Sequence, residues 1–365
     1  MKKIIKGLLL GVSLLLLTSC QGQTTEKQPL PTTNRKEETG KIVSTGRVDE
    51  AEYQAVMIDG KYEISQARTL SASYLNSHYN LANFESGLLT LSKENYSVDS
   101  YLFREGQLLD KQTIMNWLDR KSKDNPTGLN PESEGEPLVV QQVLEQDYLD
   151  KKTQKLAGIS LGIAVNQVDY SQDPARNIDQ ETALTVGKQA AQTVIEHLRQ
   201  IEAGANVPIT VGIFEQATKD DIAGGAYLLK GMTKGSEVTK WTEVKEEYIT
   251  LPVPEGETNS ATKDGISNKY RDFKEMVQGF FPNLSGFSAI AHYQDKKLDK
   301  MVIKIETKYY SETEIISFTQ FVGKNLLSSL NIPGEIEVQI NSIEGPQAFI
   351  VKKANENTIS SHIFN

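Results

Sequence analysis

The sequence predicts an α+β protein with two tandem modules on small, largely antiparallel sheets. Three observations support this prediction: short runs in which apolar residues alternate, longer segments with apolar residues at helical spacing, and recurrence of their order in the middle and last thirds. Each module is predicted to run helix, strand, helix, strand, strand, with one extra strand in the second. Because the apolar face of a sheet must be covered, we expect helices on one face of each sheet.

The N-terminus is typical of a bacterial lipoprotein signal peptide. Residues 1–6 carry three lysines, residues 7–17 are almost continuously apolar, and a lipobox closes the run: Leu17, Thr18, Ser19, Cys20. A membrane-spanning anchor with an incidental cysteine is the weaker alternative, because the apolar run is shorter than the roughly 20 residues that span a bilayer. We therefore predict cleavage after Ser19 and a diacylglyceryl thioether on Cys20, the only cysteine.

Removal of residues 1–19 leaves an acidic protein. The full chain has 39 basic and 48 acidic side chains, and the removed peptide contains three lysines and no acid, so 36 against 48 remain, a net charge of −12. Anionic lipid headgroups and nucleic acid repel such a chain. We expect the lipid to be the membrane contact and nucleic acid not to be a partner. Alkylated Cys20 also leaves no thiol for disulfides, metal binding or nucleophilic catalysis.

Composition divides the chain into seven predicted segments. Residues 20–45 are rich in Gln, Thr, Glu, Lys and Pro and show no apolar periodicity, which is typical of a disordered tether. The segments are a signal peptide (1–19), a lipidated N-terminus with the tether (20–45), an N-terminal α+β segment (46–137), a first α+β repeat (138–235), a linker (236–266), a second α+β repeat (267–352) and a C-terminal tail (353–365).

The N-terminal segment is the least regular of the folded parts. Helices are predicted over residues 65–76 and 113–118, and a strand over residues 101–103. Residues 123–136 contain two Asn-Pro pairs and a glycine, which indicates a loop before the first repeat.

The first repeat is predicted to begin with a short helix over residues 139–149. Residues 159–165 alternate like a half-buried strand, and Asp179 is the predicted N-cap of a helix with one apolar face. Residues 207–213 alternate again, and residues 226–229 form a last apolar strand.

The second repeat follows the same order. Its first helix has an apolar face made of Tyr270, Phe273, Val277 and Phe280. Alternating strands are predicted over residues 287–293 and 301–305. Ser311 and Glu314 then form a capping box, and the helix that they open has an apolar face made of Ile315, Phe318, Val322 and Leu326. Strands over residues 336–340 and 348–351 complete the module.

Four strings follow the lipobox in order: ESGLLTLSK (85–93), GQLLDK (106–111), GLNP (128–131) and LEQD (144–147). Together with the lipobox and the tandem modules, they resemble the CamS-family lipoproteins of Gram-positive bacteria, known as sex-pheromone precursors. The resemblance covers most of the mature chain. It implies that the pheromone is a short apolar peptide from the end of the cleaved signal peptide, and that the folded part has no established chemistry to carry over.

Carried onto this chain, the resemblance implies a candidate pheromone heptapeptide with uncharged side chains: Ser13, Leu14, Leu15, Leu16, Leu17, Thr18, Ser19. Its leucine run departs from the Ile-, Phe- and Ala-containing peptides expected of the family. The alternative interpretation is a signal peptide with no further role.

Other motifs do not predict a catalytic, metal or cofactor site. Ser160 lies in a Gly-x-Ser-x-Gly pattern, but alternation continues through it, so we expect a strand and not the sharp turn of a nucleophile elbow. Residues 130–135 resemble half a calcium loop, yet Gln141 takes the place of the bidentate glutamate, which favours an acidic solvated loop. The histidines are not at metal-ligand spacing: His78, His197, His292 and His362.

The leading functional hypothesis is a non-enzymatic, lipid-anchored protein on the outer face of the cell membrane that binds an extracellular protein or peptide. One alternative is the substrate-binding lipoprotein of an ABC importer, which requires two lobes around a polar cleft. The other is a surface hydrolase, which requires a serine or a carboxylate pair with a shifted pKa in a pocket.

Overall fold

The computed structural model describes residues 42–44, 47, 49–280, 284–309 and 311–364. The signal peptide, the lipobox with Cys20 and the candidate pheromone residues 13–19 lie outside the described residues, as does nearly all of the tether. The described part mixes helices with two large sheets, which confirms the α+β class. Within it, no helix is both long enough and apolar enough to cross a membrane.

Both helices and strands occur throughout the described chain. The helices are α1 (Arg68–Tyr74), α2 (His78–Ser92), α3 (Lys111–Leu118), α4 (Gln180–Gln200), α5 (Ser260–Lys263), α6 (Ile266–Phe280) and α7 (Glu312–Ser329), with a 3₁₀ turn at Glu202–Gly204. The strands up to residue 243 are β1 (Ile42–Ser44), β2 (Gln54–Ile58), β3 (Lys61–Tyr62), β4 (Tyr101–Glu105), β5 (Val140–Asp150), β6 (Leu156–Asn166), β7 (Val168–Asp169), β8 (Arg176–Asn177), β9 (Ile209–Gln216), β10 (Ala226–Thr233) and β11 (Trp241–Glu243). The later strands are β12 (Glu246–Leu251), β13 (Leu284–Gln294), β14 (Lys297–Thr307), β15 (Glu335–Ser342), β16 (Gly345–Lys352) and β17 (Ser360–Ile363).

These strands form two large sheets and a separate two-stranded sheet made of β7 and β8. The first runs in the order β1-β2-β4-β5-β6-β9-β10-β11, with β3 beside β2, and the second runs β12-β13-β14-β15-β16-β17. Because β4 pairs antiparallel with β5, strands from residues 46–137 and from the first repeat share one sheet. The limits of the separate segments stay predictions.

The internal repeat has a common topology in both sheets. A hairpin is followed by a helix and a second hairpin: β5-β6-α4-β9-β10 in the first repeat and β13-β14-α7-β15-β16 in the second. The two hairpins of each repeat meet through a parallel pair, β6 with β9 and β14 with β15. A helix crossover is the connection that a parallel pair needs.

The helix predicted over residues 139–149 is wrong, because this segment is the eleven-residue strand β5. Strand β5 pairs with β4 on one side and with β6 on the other. Periodicity alone separates a short buried helix poorly from a central strand. Here the hydrogen bonds offered by two neighbouring strands decide the conformation.

The expectation of helices on one face is also wrong for the first sheet. Residues 158–166 of β6 are all buried, because α4 covers one face and α2 covers the other. The residues that face α2 are small: a Cβ at Gly158 would lie 2.3 Å from the Tyr96 ring, and one at Gly162 would lie 2.7 Å from Phe84. Small residues in alternate positions therefore leave room for aromatic rings between helix and sheet.

The second repeat follows its prediction closely. The side chains of Tyr270, Phe273 and Val277 on α6 are fully buried, and so are the predicted apolar residues of α7. Ser311 and Glu314 form the predicted capping box, just as Asp179 accepts a hydrogen bond from the Thr182 amide at the start of α4. Along β15, buried and half-buried residues alternate, as expected of a strand with one covered face.

The predicted linker contributes to both sheets. Strand β11 lies beside β10 and strand β12 lies beside β13, so residues 241–243 and 246–251 are strands. Trp241 packs against the core of the first repeat. Residues 252–265 contain the short helix α5, which has an Asn259–Thr262 capping box.

Candidate functional site

A cavity of about 300 Å³ opens beside the first sheet, between α1, α2, α3 and strand β5. Most of its wall surface is apolar, and the apolar side chains that line it are Ala67, Leu89, Phe103, Leu109, Ile114, Val143 and Leu144. Its size and its mainly apolar lining with a few polar groups are typical of small-ligand sites.

The cavity exists because β4 ends before β5 does. Strand β4 pairs with β5 only from Tyr101 to Glu105, opposite Asp150 to Gln146. At Gly106 the chain makes one last hydrogen bond, to the carbonyl oxygen of Glu145, and then leaves the sheet toward α3. Residues 143–146 of β5 therefore border the cavity.

Glu145 is the buried acid of this wall. Its carboxyl oxygens accept hydrogen bonds from the amides of Leu108 and Leu109 at 2.8–3.2 Å. Gly106 leaves room for the side chain of Glu145, because a Cβ at position 106 would lie 2.4 Å from the Glu145 Cβ. The turn after β4 therefore both creates the cavity and holds this carboxyl group.

A buried ionic cluster continues from Glu145 under the sheet. The carboxyl groups of Glu145 and Asp147 lie close enough for a hydrogen bond when one of the two is protonated. The guanidinium of Arg104 donates to Asp147 Oδ2 at 2.7 Å and to Glu63 Oε2 at 2.9 Å. One proton must lie between two hydrogen-bonded carboxyl groups, because two carboxylates offer only acceptors.

The pKa directions place that proton on Glu145. Burial, followed by the charge and the hydrogen bond of Asp147, raises the Glu145 pKa well above its ordinary value. Burial also raises the pKa of Asp147, but the positive charge of Arg104 opposes this rise. Glu145 is therefore the neutral acid, and Asp147 is the carboxylate paired with Arg104.

The mouth of the cavity carries further charges. Arg68 Nη1 lies 3.1 Å from Glu105 Oε1, and the amide of Ser65 donates to Glu105 Oε2 at 2.8 Å. Among the described side chains, none forms an ion pair with Glu85 on α2. Partial burial raises the pKa of Glu85, and the carboxylate of Glu105 adds to this rise while Arg68 opposes it. Negative charge therefore exceeds positive charge at the mouth.

Ser160 lies within strand β6, as predicted, and not on a nucleophile elbow. Its hydroxyl is fully buried and forms a 2.7 Å hydrogen bond with Ser92 on α2. Gly158 and Gly162 on either side make room for the rings of Tyr96 and Phe84, so the Gly-x-Ser-x-Gly pattern serves packing.

Residues 130–135 also have a structural explanation. Asn130 is buried, and its side chain bonds the backbone of Leu118, Val139 and Val140, which anchors the start of β5. In the ranges that the structure covers, no group of three or more His, Cys, Asp or Glu residues could hold a metal ion.

The histidines lie far apart in different settings. His197 packs edge-on against Trp117, and burial lowers its pKa. His78 lies against Tyr79, and His362 lies against Phe364.

Sequence reasoning missed two polar groups of the structure. His292 bonds Glu246 at 2.8 Å through Nε2 and Asp299 at 3.0 Å through Nδ1, and no motif connects these three residues. The Glu145–Asp147 pair had a signal, since two acids two residues apart in an apolar strand share one face. Treating the segment as a helix placed them on different faces.

Comparisons with known proteins agree with this fold. The model of the family described as the CamS sex pheromone cAM373 precursor matches residues 62–358, so the chain belongs to the CamS family. A crystal structure of a sex pheromone precursor from Lactobacillus salivarius subsp. salivarius UCC118 is 36% identical, with a TM-score of 0.83, and covers 89% of this chain and 99% of that one. A comparison with curated proteins finds no match.

A second solved structure is similar as well. It is the C-terminal domain of the sex pheromone staph-cAM373 precursor from Staphylococcus aureus, 25% identical with a TM-score of 0.67, and it covers 80% of this chain and 99% of that one. Three of the four strings that carry the family resemblance, residues 85–93, 106–111 and 144–147, contribute to the same cavity. The fourth contains Asn130, which anchors β5.

Proposed function

We propose that this CamS-family chain is a lipid-anchored protein on the outer face of the cell membrane. A diacylglyceryl group on Cys20 holds it there, and the acidic folded part extends into the extracellular space. The lipobox that ends at the sole cysteine supports this proposal. Each buried methylene contributes about 0.8 kcal/mol to the free energy of membrane binding. Two acyl chains therefore hold on the membrane a protein that one chain would anchor only marginally.

The folded part binds a ligand and does not catalyse a reaction. The single observation that carries this function is the cavity of about 300 Å³ beside β5. Its one buried acid is tied to two backbone amides and to Asp147, so its hydrogen-bonding capacity is already used by the protein. Binding surfaces need such fixed walls, whereas an acid catalyst needs a group free to reach its substrate.

The cleaved signal peptide supplies the candidate pheromone, residues 13–19. Its uncharged side chains and small size suit export and sensing, and membership of a pheromone-precursor family supports this role.

Mass spectrometry of the mature N-terminus and of the secreted peptides tests these proposals together. We expect a mature chain that begins at lipidated Cys20, and a released peptide that ends at Ser19. Fractionation of cells that carry Cys20→Ser should move the protein out of the membrane fraction, while a Ser19→Ala chain keeps its anchor. An unmodified Cys20, or a serine variant that stays equally membrane-bound, contradicts the anchor.

A surface hydrolase is the second candidate, because the Glu145–Asp147 pair with raised pKa values lies beside a cavity. Only Glu145 of this pair lines the cavity, whereas carboxylate-pair hydrolases place both groups at the substrate. Hydrolysis of ester, peptide or glycoside probes that Glu145→Gln abolishes would favour this candidate.

A further inference from the structure

The cavity beside β5 has an apolar body and a negatively charged mouth. The apolar wall includes Leu89, Ile114 and Val143, and the mouth carries Glu85 and Glu105 with one guanidinium, Arg68. We propose that this cavity binds a primary ammonium group attached to an apolar body, with the ammonium at Glu85 and Glu105 and the apolar part against the inner wall. The inference rests on the proposed binding function and names its ligand class.

Charge complementarity selects a cation over an anion. The only cation of the lining, Arg68, already lies 3.1 Å from Glu105 Oε1. The described part of the chain provides no ion-pair partner for Glu85, so its carboxylate can accept from a ligand. An anionic ligand would meet two carboxylates and would have to displace Glu105 from Arg68. Like charges at such a site disfavour binding.

The inner wall selects an apolar body for the ligand. Leu109, Ile114 and Val143 are buried and pack in one core cluster, and Leu89 and Leu144 also line the cavity. The side-chain amide of Gln142 donates a hydrogen bond to the hydroxyl of Ser71 at 2.9 Å, which fixes this side chain at the wall. A volume of about 300 Å³ has room for about ten groups of the size of a water molecule.

Two kinds of molecule share this chemistry, a small aliphatic amine and the N-terminus of an apolar peptide. Titration calorimetry on the full-length mature protein in detergent, with a detergent-only blank, separates the possibilities. The small probes are n-hexylamine, n-hexanol and n-hexanoate, which have the same apolar chain and differ in charge. The peptide probes are tri-leucine amide with a free N-terminus and the same peptide after N-acetylation.

We expect n-hexylamine to bind, n-hexanol to bind more weakly and n-hexanoate not to bind. Glu85→Gln removes one carboxylate at the mouth and should weaken amine binding about fivefold while leaving n-hexanol unchanged. Glu132→Gln is the matched control, because this exposed loop residue makes the same charge change outside the cavity lining. Ser86→Trp, at an exposed lining position, should block every probe by filling the mouth.

Binding of the free but not the acetylated peptide assigns the ligand to peptide N-termini, and binding of n-hexylamine alone assigns it to small amines. Both outcomes support the ammonium site. The proposal is overturned if n-hexanoate binds better than n-hexylamine, if no amine binds, or if Glu85→Gln behaves like Glu132→Gln. Because the anchor is tested at Cys20, a failure of the ammonium site leaves membrane attachment to be judged by itself.

Discussion

Glu145→Gln tests whether the buried acid at the cavity wall is neutral in the folded protein. A glutamine has the same shape, its carbonyl oxygen in the place of Oε2 can accept from the amides of Leu108 and Leu109, which lie 3.2 and 2.8 Å from Oε2, and its NH₂ group can donate to Asp147 in place of the acid proton. We therefore expect the variant to fold normally. What should change is the pH dependence of the free energy of unfolding.

The sign follows from the direction of the pKa shift. Burial and Asp147 raise the Glu145 pKa, so the folded protein holds a proton that the unfolded chain releases. The contribution of this protonated carboxyl group to stability is complete below the ordinary glutamate pKa and is lost as the pH rises through the raised pKa. Within that window, one proton corresponds to a loss of about 1.4 kcal/mol of unfolding free energy per pH unit.

Chemical denaturation of both proteins at a series of pH values between about 5 and 8 provides the measurement. The unfolding free energy of the wild type minus that of Glu145→Gln should fall with rising pH. The variant should become the more stable protein at high pH. Parallel profiles would refute the reasoning, because they would mean that Glu145 binds no extra proton on folding.

Asp147→Asn is the control for this experiment. It removes the carboxylate that pairs with Arg104 at 2.7 Å and leaves the guanidinium without its closest partner. Breaking a buried pair in this way costs about 3–5 kcal/mol. We expect a loss of stability at every pH in that range, whereas the difference between wild type and Glu145→Gln changes sign as the pH rises.

Three further predictions concern packing, titration and capping. Gly162→Ala places a Cβ 2.7 Å from the Phe84 ring and should lower the unfolding free energy by about 1–3 kcal/mol. Gly279→Ala places its Cβ in open space on helix α6 and should raise the unfolding free energy by up to about 1 kcal/mol. Denaturant titrations compare the two variants. Burial lowers the pKa of His292, but the carboxylates of Glu246 and Asp299 outweigh this effect and the pKa is raised. The protonated ring therefore stabilises the fold at low pH, and this contribution is lost as the pH rises through the raised pKa. His292→Gln should flatten that part of the plot of unfolding free energy against pH, and NMR titration of the ring measures the pKa directly. Ser311→Ala removes the capping box of α7 and should cost about 1 kcal/mol, measured by thermal unfolding; no change would mean that the cap is dispensable.

Strand β5 shows where sequence reasoning reached its limit. Residues 139–149 have apolar residues at spacings that fit a short helix, and local periodicity contains nothing about the strands on either side. Once β4 and β6 supply hydrogen bonds on both edges, the extended form satisfies the backbone. Predicting residues 139–149 as a helix also prevented recognition of the cavity wall, because Glu145 and Asp147 lie on the same face only in a strand.

The long helices show the opposite case. The apolar faces of α6 and α7 and the caps at Asp179 and Ser311 were visible in the sequence, because they depend on residues three or four positions apart. Among the polar residues, Glu246, His292 and Asp299 come together only when β12, β13 and β14 pair, so no local pattern announces them.

The sequence by itself determined the α+β class, the presence of an internal repeat, the apolar helix faces and the family. These features depend on local spacing and on strings of neighbouring residues, which a chain carries before it folds. Tertiary structure alone decided that β5 is a central strand, that α2 and α4 enclose the first sheet, and that three distant strings surround one cavity. The physical reason is that strand pairing and burial join residues far apart in the chain, so their outcome depends on partners that no single segment contains.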